Sequence, residues 1–335
     1  MNSWELFEAM TELEDDTILA AAQTPPRRRV RFRPMLRHLC AACVALVLLF
    51  TGMAVFDAEA GDATMRWTRR IREDRVYYVF WNSPGETPEG APPYAPTWLP
   101  EDYATSGKRY PVMYFFDGHN LFLNEDATYG KSWGLKEFLA GWDKDLILVG
   151  IECGHEGDER LSEYLPYRAL FNRFFGKFKP MGGVTMDWIV NEIKPMIDAE
   201  YRTLPDREHT GIGGSSMGGI MSLYAGVHYN QYFSKAACVS SAMGFCMGPL
   251  MKDIQVSHME PGTRFYLSWG TKEAFGIKNP DANDRQSKTY RWNTRAAAAL
   301  KAKGAKIALY CQVGGAHCEA DWEKQNPIFM NFLWK

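Results

Sequence analysis

Charge of one sign is the first thing this chain lacks: 38 Lys and Arg stand against 40 Asp and Glu, a formal net charge of −2 over 335 residues. Without an excess positive field it has no general means of holding a polyanion, which argues against nucleic-acid binding. Cysteine is scarce, with seven residues at 40, 43, 153, 238, 246, 311 and 318. They are odd in number and lack the dense spacing of a disulfide-stapled fold, so stability must come from packing. HExxH, EF-hand, P-loop and GxGxxG patterns are missing, and no metal or nucleotide cofactor is expected. Cys40 and Cys43 have CxxC spacing but no second Cys/His pair at zinc spacing.

Core-forming material is plentiful. At 46% hydrophobic, 14% aromatic and 23% charged residues, the composition excludes disorder, collagen-like repeats and coiled coil. The length suits one domain of catalytic size with additions.

The additions are expected at the N-terminus. Residues 1–38 form a tail in which Glu5, Glu8, Glu12, Glu14, Asp15 and Asp16 precede Arg27, Arg28, Arg29, Arg31, Arg33 and Arg37. Residues 39–56, Leu39 to Phe56, are 18 uncharged and largely apolar residues, enough to cross a bilayer core of about 30 Å at about 1.5 Å per residue. One reading is a single-pass anchor in the cell membrane, with the Arg-rich side cytoplasmic, meeting anionic headgroups, and the catalytic domain extracytoplasmic. The other is a signal peptide cleaved near Ala60, since Ala58-Glu59-Ala60 is small-x-small. The long charged leader favours the anchor. Residues 57–98 read as a linker, Pro-rich from Pro84 onward, with one candidate edge strand at Arg75 to Trp81.

From about residue 99 the pattern changes. Tyr110 to Phe116, Leu146 to Ile151, Thr210 to Gly213, Ala236 to Ser240, Phe265 to Trp269 and Ile307 to Cys311 are short apolar runs of the kind found in buried parallel strands. Val184 to Tyr201, Met217 to Tyr229 and Arg285 to Lys303 have helical length, and Gly304 is placed to end the third. Strand, helix, strand in succession predicts an α/β domain over 99–335, its mostly parallel sheet covered on both faces.

Gly214-Ser215-Ser216-Met217-Gly218 fits G-x-S-x-G between a predicted strand and a predicted helix, the setting of a nucleophile elbow. A Gly/Ser turn of purely structural role also fits those five residues, so a base is needed. A Ser hydroxyl attacks at neutral pH only when an imidazole takes its proton. His317 follows the last predicted strand, where the order Ser, acid, His puts it, whereas the other histidines all come earlier. The acid belongs on the loop after the penultimate strand. Glu273 is the candidate there, with Asp281 and Asp284 as alternatives. The backbone amides of Met217 and of His119, the latter after the Tyr110–Phe116 strand, are the candidate oxyanion donors.

These residues lie in YPVMYFFDGHNLF (110–122), GIECGHEGDERLSEYLPY (150–167), IVNEIKPMIDAEYRT (189–203), GIGGSSMGGIMSLYAG (211–226), GTKE (270–273) and GGAHCEADW (314–322). In that order they resemble the branch of the α/β-hydrolases that includes enterochelin esterases, feruloyl and acetylxylan esterases and the mycolyltransferases. The resemblance covers about Leu99 to Lys335. It implies an α/β-hydrolase fold and a serine esterase working through an acyl-enzyme, with Ser216 as nucleophile, His317 as base and Glu273 as acid. The substrate expected is a small-molecule or saccharide-linked ester. Trp133, Arg160, Glu163 and Tyr164 fall in motifs resembling those beside the family's cleft. Trp133, Arg160 and Tyr164 are the expected substrate contacts, with bracing of loops as the competing role, above all for Arg160 and Glu163. Acyl transfer through the same intermediate, or binding without catalysis on an esterase scaffold, are the rival functions. The family's usual paired N-terminal strands have one evident counterpart, Arg75 to Trp81, so an incomplete sheet edge is expected.

Overall fold

The computed structural model describes the backbone of residues 70–72 and 75–79, and residues 99–100, 102–154, 159–168, 178–273 and 287–335 in full. The tail 1–38, the apolar segment 39–56 and most of the linker lie outside the described residues. Among the described residues no helix is long and apolar enough to cross a membrane.

Among the described residues eight strands form one sheet. They are β1 (Arg70–Arg72), β2 (Arg75–Val79), β3 (Val112–Phe116), β4 (Ile147–Ile151), β5 (Thr210–Ser215), β6 (Lys235–Val239), β7 (Arg264–Gly270) and β8 (Lys306–Gln312), in the spatial order β1-β2-β4-β3-β5-β6-β7-β8. The six from β3 onward are parallel, as the apolar runs predict. The edge expected to be incomplete is instead closed by a hairpin. β1 pairs antiparallel with β2, and β2 with β4. Arg70-Ile71-Arg72 is too short and too charged to announce itself as a strand.

β3 shows why these runs are uniformly apolar. Successive side chains point to opposite faces, so Val112, Tyr114 and Phe116 enter one hydrophobic cluster while Met113 and Phe115 enter another across the sheet. Both faces are dry, and no alternation with polar residues survives.

The helices are α1 (Leu135–Ala140), α2 (Glu159–Glu163), α3 (Gly182–Trp188), α4 (Lys194–Glu200), α5 (Met217–His228), α6 (Met247–Val256), α7 (Lys288–Ala302), α8 (Glu319–Trp322) and α9 (Asn326–Leu333). The one long helix predicted over 184–201 is two, joined by a π-helical turn at Ile189–Ile193. Pro195, at the start of α4, has no N–H to donate and its ring crowds the preceding turn, and the wider turn accommodates it. α7 ends as expected, at Gly304 with φ +94°. α5 buries almost every residue, as a helix apolar all round must, and carries the elbow at its start.

Candidate active site

The functional loops gather where the parallel strands end, the usual site position in such sheets. β5 delivers Ser216 at φ 55°, ψ −116°, a backbone conformation costly for any side chain. Two hydrogen bonds with the segment that ends β6 help to hold it there. The Ser216 amide donates to the Val239 carbonyl at 3.1 Å, and the Ala242 amide donates to the Ser216 carbonyl at 2.9 Å. Both outer glycines of the motif are sterically required. A Cβ on Gly214 would stand 2.9 Å from the Gly218 carbonyl carbon, and one on Gly218 would stand 2.9 Å from Phe116 Cβ. Met217 opens α5, where the first amides have no partners within the helix.

The acid and the base arrive on loops zipped to each other. Thr271 N–H donates to the Gln312 carbonyl at 3.0 Å, Lys272 N–H to the Gly315 carbonyl at 2.9 Å, and Gly314 N–H to Thr271 Oγ1 at 2.9 Å. A Cβ on Gly270 would sit 2.2 Å from the Gly315 carbonyl oxygen, so the approach needs glycine. Asp321 fixes the far side of the His loop by accepting from the Ala316 amide at 2.7 Å and from Gln312 Nε2 at 3.2 Å.

The outcome is a contact between Glu273 Oε2 and His317 Nδ1. The Glu273 side chain is 5% exposed and that of His317 12%. Glu273 Oε1 accepts from the Ser240 hydroxyl at 2.7 Å and from the Gly270 amide. Of the three acids considered, Asp281 and Asp284 lie outside the described residues. Ser216 is half-buried at the same end of the sheet, and among the hydrogen bonds of the described residues none involves its hydroxyl.

The oxyanion loop differs from expectation. Asp117, at φ 59°, turns the chain out of β3, and the His119 amide, assigned to an oxyanion, donates instead to Glu152 Oε2 at 3.2 Å. His119 Nδ1 lies 2.7 Å from Glu152 Oε1, and Nε2 lies 2.8 Å from Thr128 Oγ1. Glu152, missed from sequence, is fully buried and grips this loop through both backbone and ring.

The expected substrate contacts separate. Trp133 is 2% exposed and packs on Phe115, Trp322 and Phe329, and Tyr164 is 0% exposed. Both belong to the core and are closed to a ligand. Their motif positions are right, but the side chains turn inward. Arg160 braces: Nε and Nη2 each donate to Asp117 at 2.7 Å, and its guanidinium lies 5.4 Å from the Tyr164 ring centroid. Glu163 Oε2 accepts from the Gly154 amide at 2.9 Å.

One carboxyl beside the site, that of Glu319, carries no signal in the sequence. Burial pushes the Glu319 carboxyl above its ordinary value; Asp117 adds to the shift, and His317 and Arg160 oppose it. Burial likewise raises the thiols of Cys153, Cys238, Cys246 and Cys318, which keeps them protonated and unsuited to attack.

A strained Ser at a strand-to-helix turn, a His after the last strand and a carboxylate behind it, on a mainly parallel sheet, define a protein of the α/β-hydrolase class. Residues 95–333 match the family model named Putative esterase; the chain belongs to that esterase family, and its chemistry is carboxylic ester hydrolysis. Among curated proteins it is 29% identical to YbbA of Bacillus subtilis (strain 168) over 179 residues, covering 52% of this chain and 67% of that one. It is 30% identical to Esterase Rv1288 of Mycobacterium tuberculosis (strain ATCC 25618 / H37Rv) over 186 residues, 56% of this chain and 34% of that one. The match thus spans about a third of the mycobacterial esterase's length. Solved structures share the fold. An IroE-like serine hydrolase from Shewanella oneidensis superposes with TM-score 0.54 at 20% identity, covering 70% of this chain and 75% of that one. The enterobactin esterase FES from Shigella flexneri superposes with TM-score 0.50 at 20% identity, covering 71% and 54%.

Proposed function

We propose that the chain cleaves carboxylic esters through an acyl-enzyme on Ser216, with His317 as general base and Glu273 as its orienting acid. The observation that carries this is the buried contact of Glu273 Oε2 with His317 Nδ1, made at the strand ends where the elbow lifts Ser216. That contact fixes the imidazole tautomer and orientation, and in the reaction Nε2 takes the proton of the hydroxyl. Ser216 Oγ attacks the carbonyl carbon while His317 takes the hydroxyl proton. The carbon–oxygen bond to the alcohol then breaks, and the same proton goes to the departing alcohol. Water repeats the sequence on the acyl-enzyme, returning Ser216 and releasing the acid. The Met217 amide faces the developing oxyanion. The second donor comes from the 117–120 loop, and the His119 amide serves only if it leaves Glu152.

The substrate class we favour is a small-molecule or saccharide-linked ester, in keeping with the enterobactin esterase among the structural relatives. An apolar span at 39–56 would tether the enzyme to a membrane; partition of the full chain into vesicles, and its loss on deleting 39–56, tests this. The catalytic test is hydrolysis of a short nitrophenyl ester by wild type and Ser216→Ala. A loss on the order of 10⁴-fold or more supports the serine mechanism, and equal rates contradict it. An added acceptor alcohol separates hydrolysis from acyl transfer by the product formed.

A further inference from the structure

Around Glu273 and His317 the contacts close into a ring. His317 Nδ1 meets Glu273 Oε2, and Glu273 Oε1 accepts from the Ser240 hydroxyl at 2.7 Å. Ser240 Oγ in turn accepts from Trp322 Nε1 at 2.9 Å. The Trp322 ring returns to His317 edge-on, with centroids 5.0 Å apart and planes at 85°. Trp322 is 4% exposed and Ser240 5%, so water does not compete for these bonds. Ser240 also sits at φ 44°, a left-handed conformation unusual for serine, directly after β6. Its neighbours Val239 and Ala242 are the residues that hold the Ser216 backbone. One four-residue segment therefore fixes the nucleophile through its backbone and the acid through its side chain.

We infer that Ser240 and Trp322 are positioning residues for the esterase reaction, holding Glu273 and His317 in the orientation that the base requires. Neither touches the reacting atoms. The Ser240 hydroxyl has one proton, which it gives to Glu273, and its lone pair receives the Trp322 N–H, so the direction of every bond in the ring is set. A carboxylate bound on one oxygen by Ser240 and Gly270 presents the other to His317 without rotating. The indole ring limits how far the imidazole swings. A buried network in which each polar atom is satisfied gains rigidity that its separate bonds do not supply.

This inference rests on the proposed esterase mechanism, and its test is chosen so that the two can fail separately. Ser240→Ala and Ser240→Gly both remove the hydroxyl. Glycine accepts the positive φ, so the Gly variant stays folded if alanine strains the turn. Trp322→Phe keeps a ring against His317 and deletes the N–H. Nitrophenyl ester kinetics and the low-field proton resonance of His317 Nδ1–H are measured on each, with the resonance assigned by its loss in His317→Ala. The expected result is a fall in kcat of about tenfold to a hundredfold with KM nearly unchanged, the worth of one hydrogen bond to a charged group. The His317 resonance should move or broaden, and Ser240→Gly combined with Trp322→Phe should lose no more than the worse single variant, because residues acting as a unit are not additive. An unmoved resonance with unchanged kcat in folded Ser240→Gly, or fully additive losses, overturns the inference. Failure of wild type to hydrolyse any ester overturns the catalytic mechanism instead, while the resonance still reports on the ring.

Discussion

Arg160 grips Asp117 through two parallel contacts of 2.7 Å, Nε to Oδ1 and Nη2 to Oδ2, across 43 positions of sequence. Asp117 is 4% exposed and ends β3 where the 117–120 loop begins, so the pair anchors that loop to α2. Arg160→Ala leaves a buried carboxylate unpaired. The expected cost is about 2 kcal/mol, less than a fully buried pair would give because a third of the Arg160 side chain is exposed. Arg160→Lys should recover only part of it, since an ammonium cannot reproduce the fork. Urea midpoints of the three proteins check this, and equal midpoints for wild type and Arg160→Ala would contradict it.

Glu273→Gln keeps an oxygen for Ser240 and Gly270 but removes the charge behind His317. The fall in kcat should be on the order of 10³-fold, with KM changed little, because the imidazolium formed during attack loses its counter-charge. Steady-state kinetics on a nitrophenyl ester give both constants.

Gly214→Ala places a methyl 2.9 Å from the Gly218 backbone, where no flexible side chain can yield. The elbow must open. Stability should fall by about 2 kcal/mol, and activity should fall further than a comparable loss of stability elsewhere in the sheet explains. Thermal unfolding and kinetics at a temperature where the variant remains folded separate the two effects.

Burial, aided by Glu125 and opposed by His119, pushes the Asp126 carboxyl up to about 6, and its Oδ2 is buried without a hydrogen-bond partner. An acid raised on folding binds more protons folded than unfolded. Stability is therefore lost as pH climbs from the ordinary carboxylate range, about 4, through 6, and the cost is constant above that. Asp126→Asn removes the titration. Its melting temperature relative to wild type should rise between pH 4 and 6 and level off above 6. A difference independent of pH would show that Asp126 ionises as it does in the unfolded chain.

Much of the sheet is legible because a strand buried on both faces must be apolar throughout, and β3 to β7 leave that mark, whereas β8 at the edge is only partly buried. β1 is not legible: three residues at an edge, two of them Arg, carry no periodic signal. Ser216, His317 and Glu273 stand out as candidates because elbow, acid loop and His loop follow strands in a fixed order, and of these the structure brings Glu273 and His317 together. Trp133 and Tyr164, expected at the cleft, are buried in the core, since a motif fixes a position in the chain but not the direction of a side chain. Ser240 left no signal, since its bond to Glu273 exists only where β6 and β7 pack together. Glu152 was hidden for the same reason, its carboxylate meeting His119 across two strand ends.

The central claim is that Ser216 carries the acyl group. Reacting the purified protein with a fluorophosphonate and locating the adduct by peptide mass spectrometry tests it most directly. The account predicts one adduct per chain, on the peptide holding Ser216, and sharply slower labelling in His317→Ala. A protein that stays unlabelled, or one labelled equally well after Ser216→Ala, would contradict it.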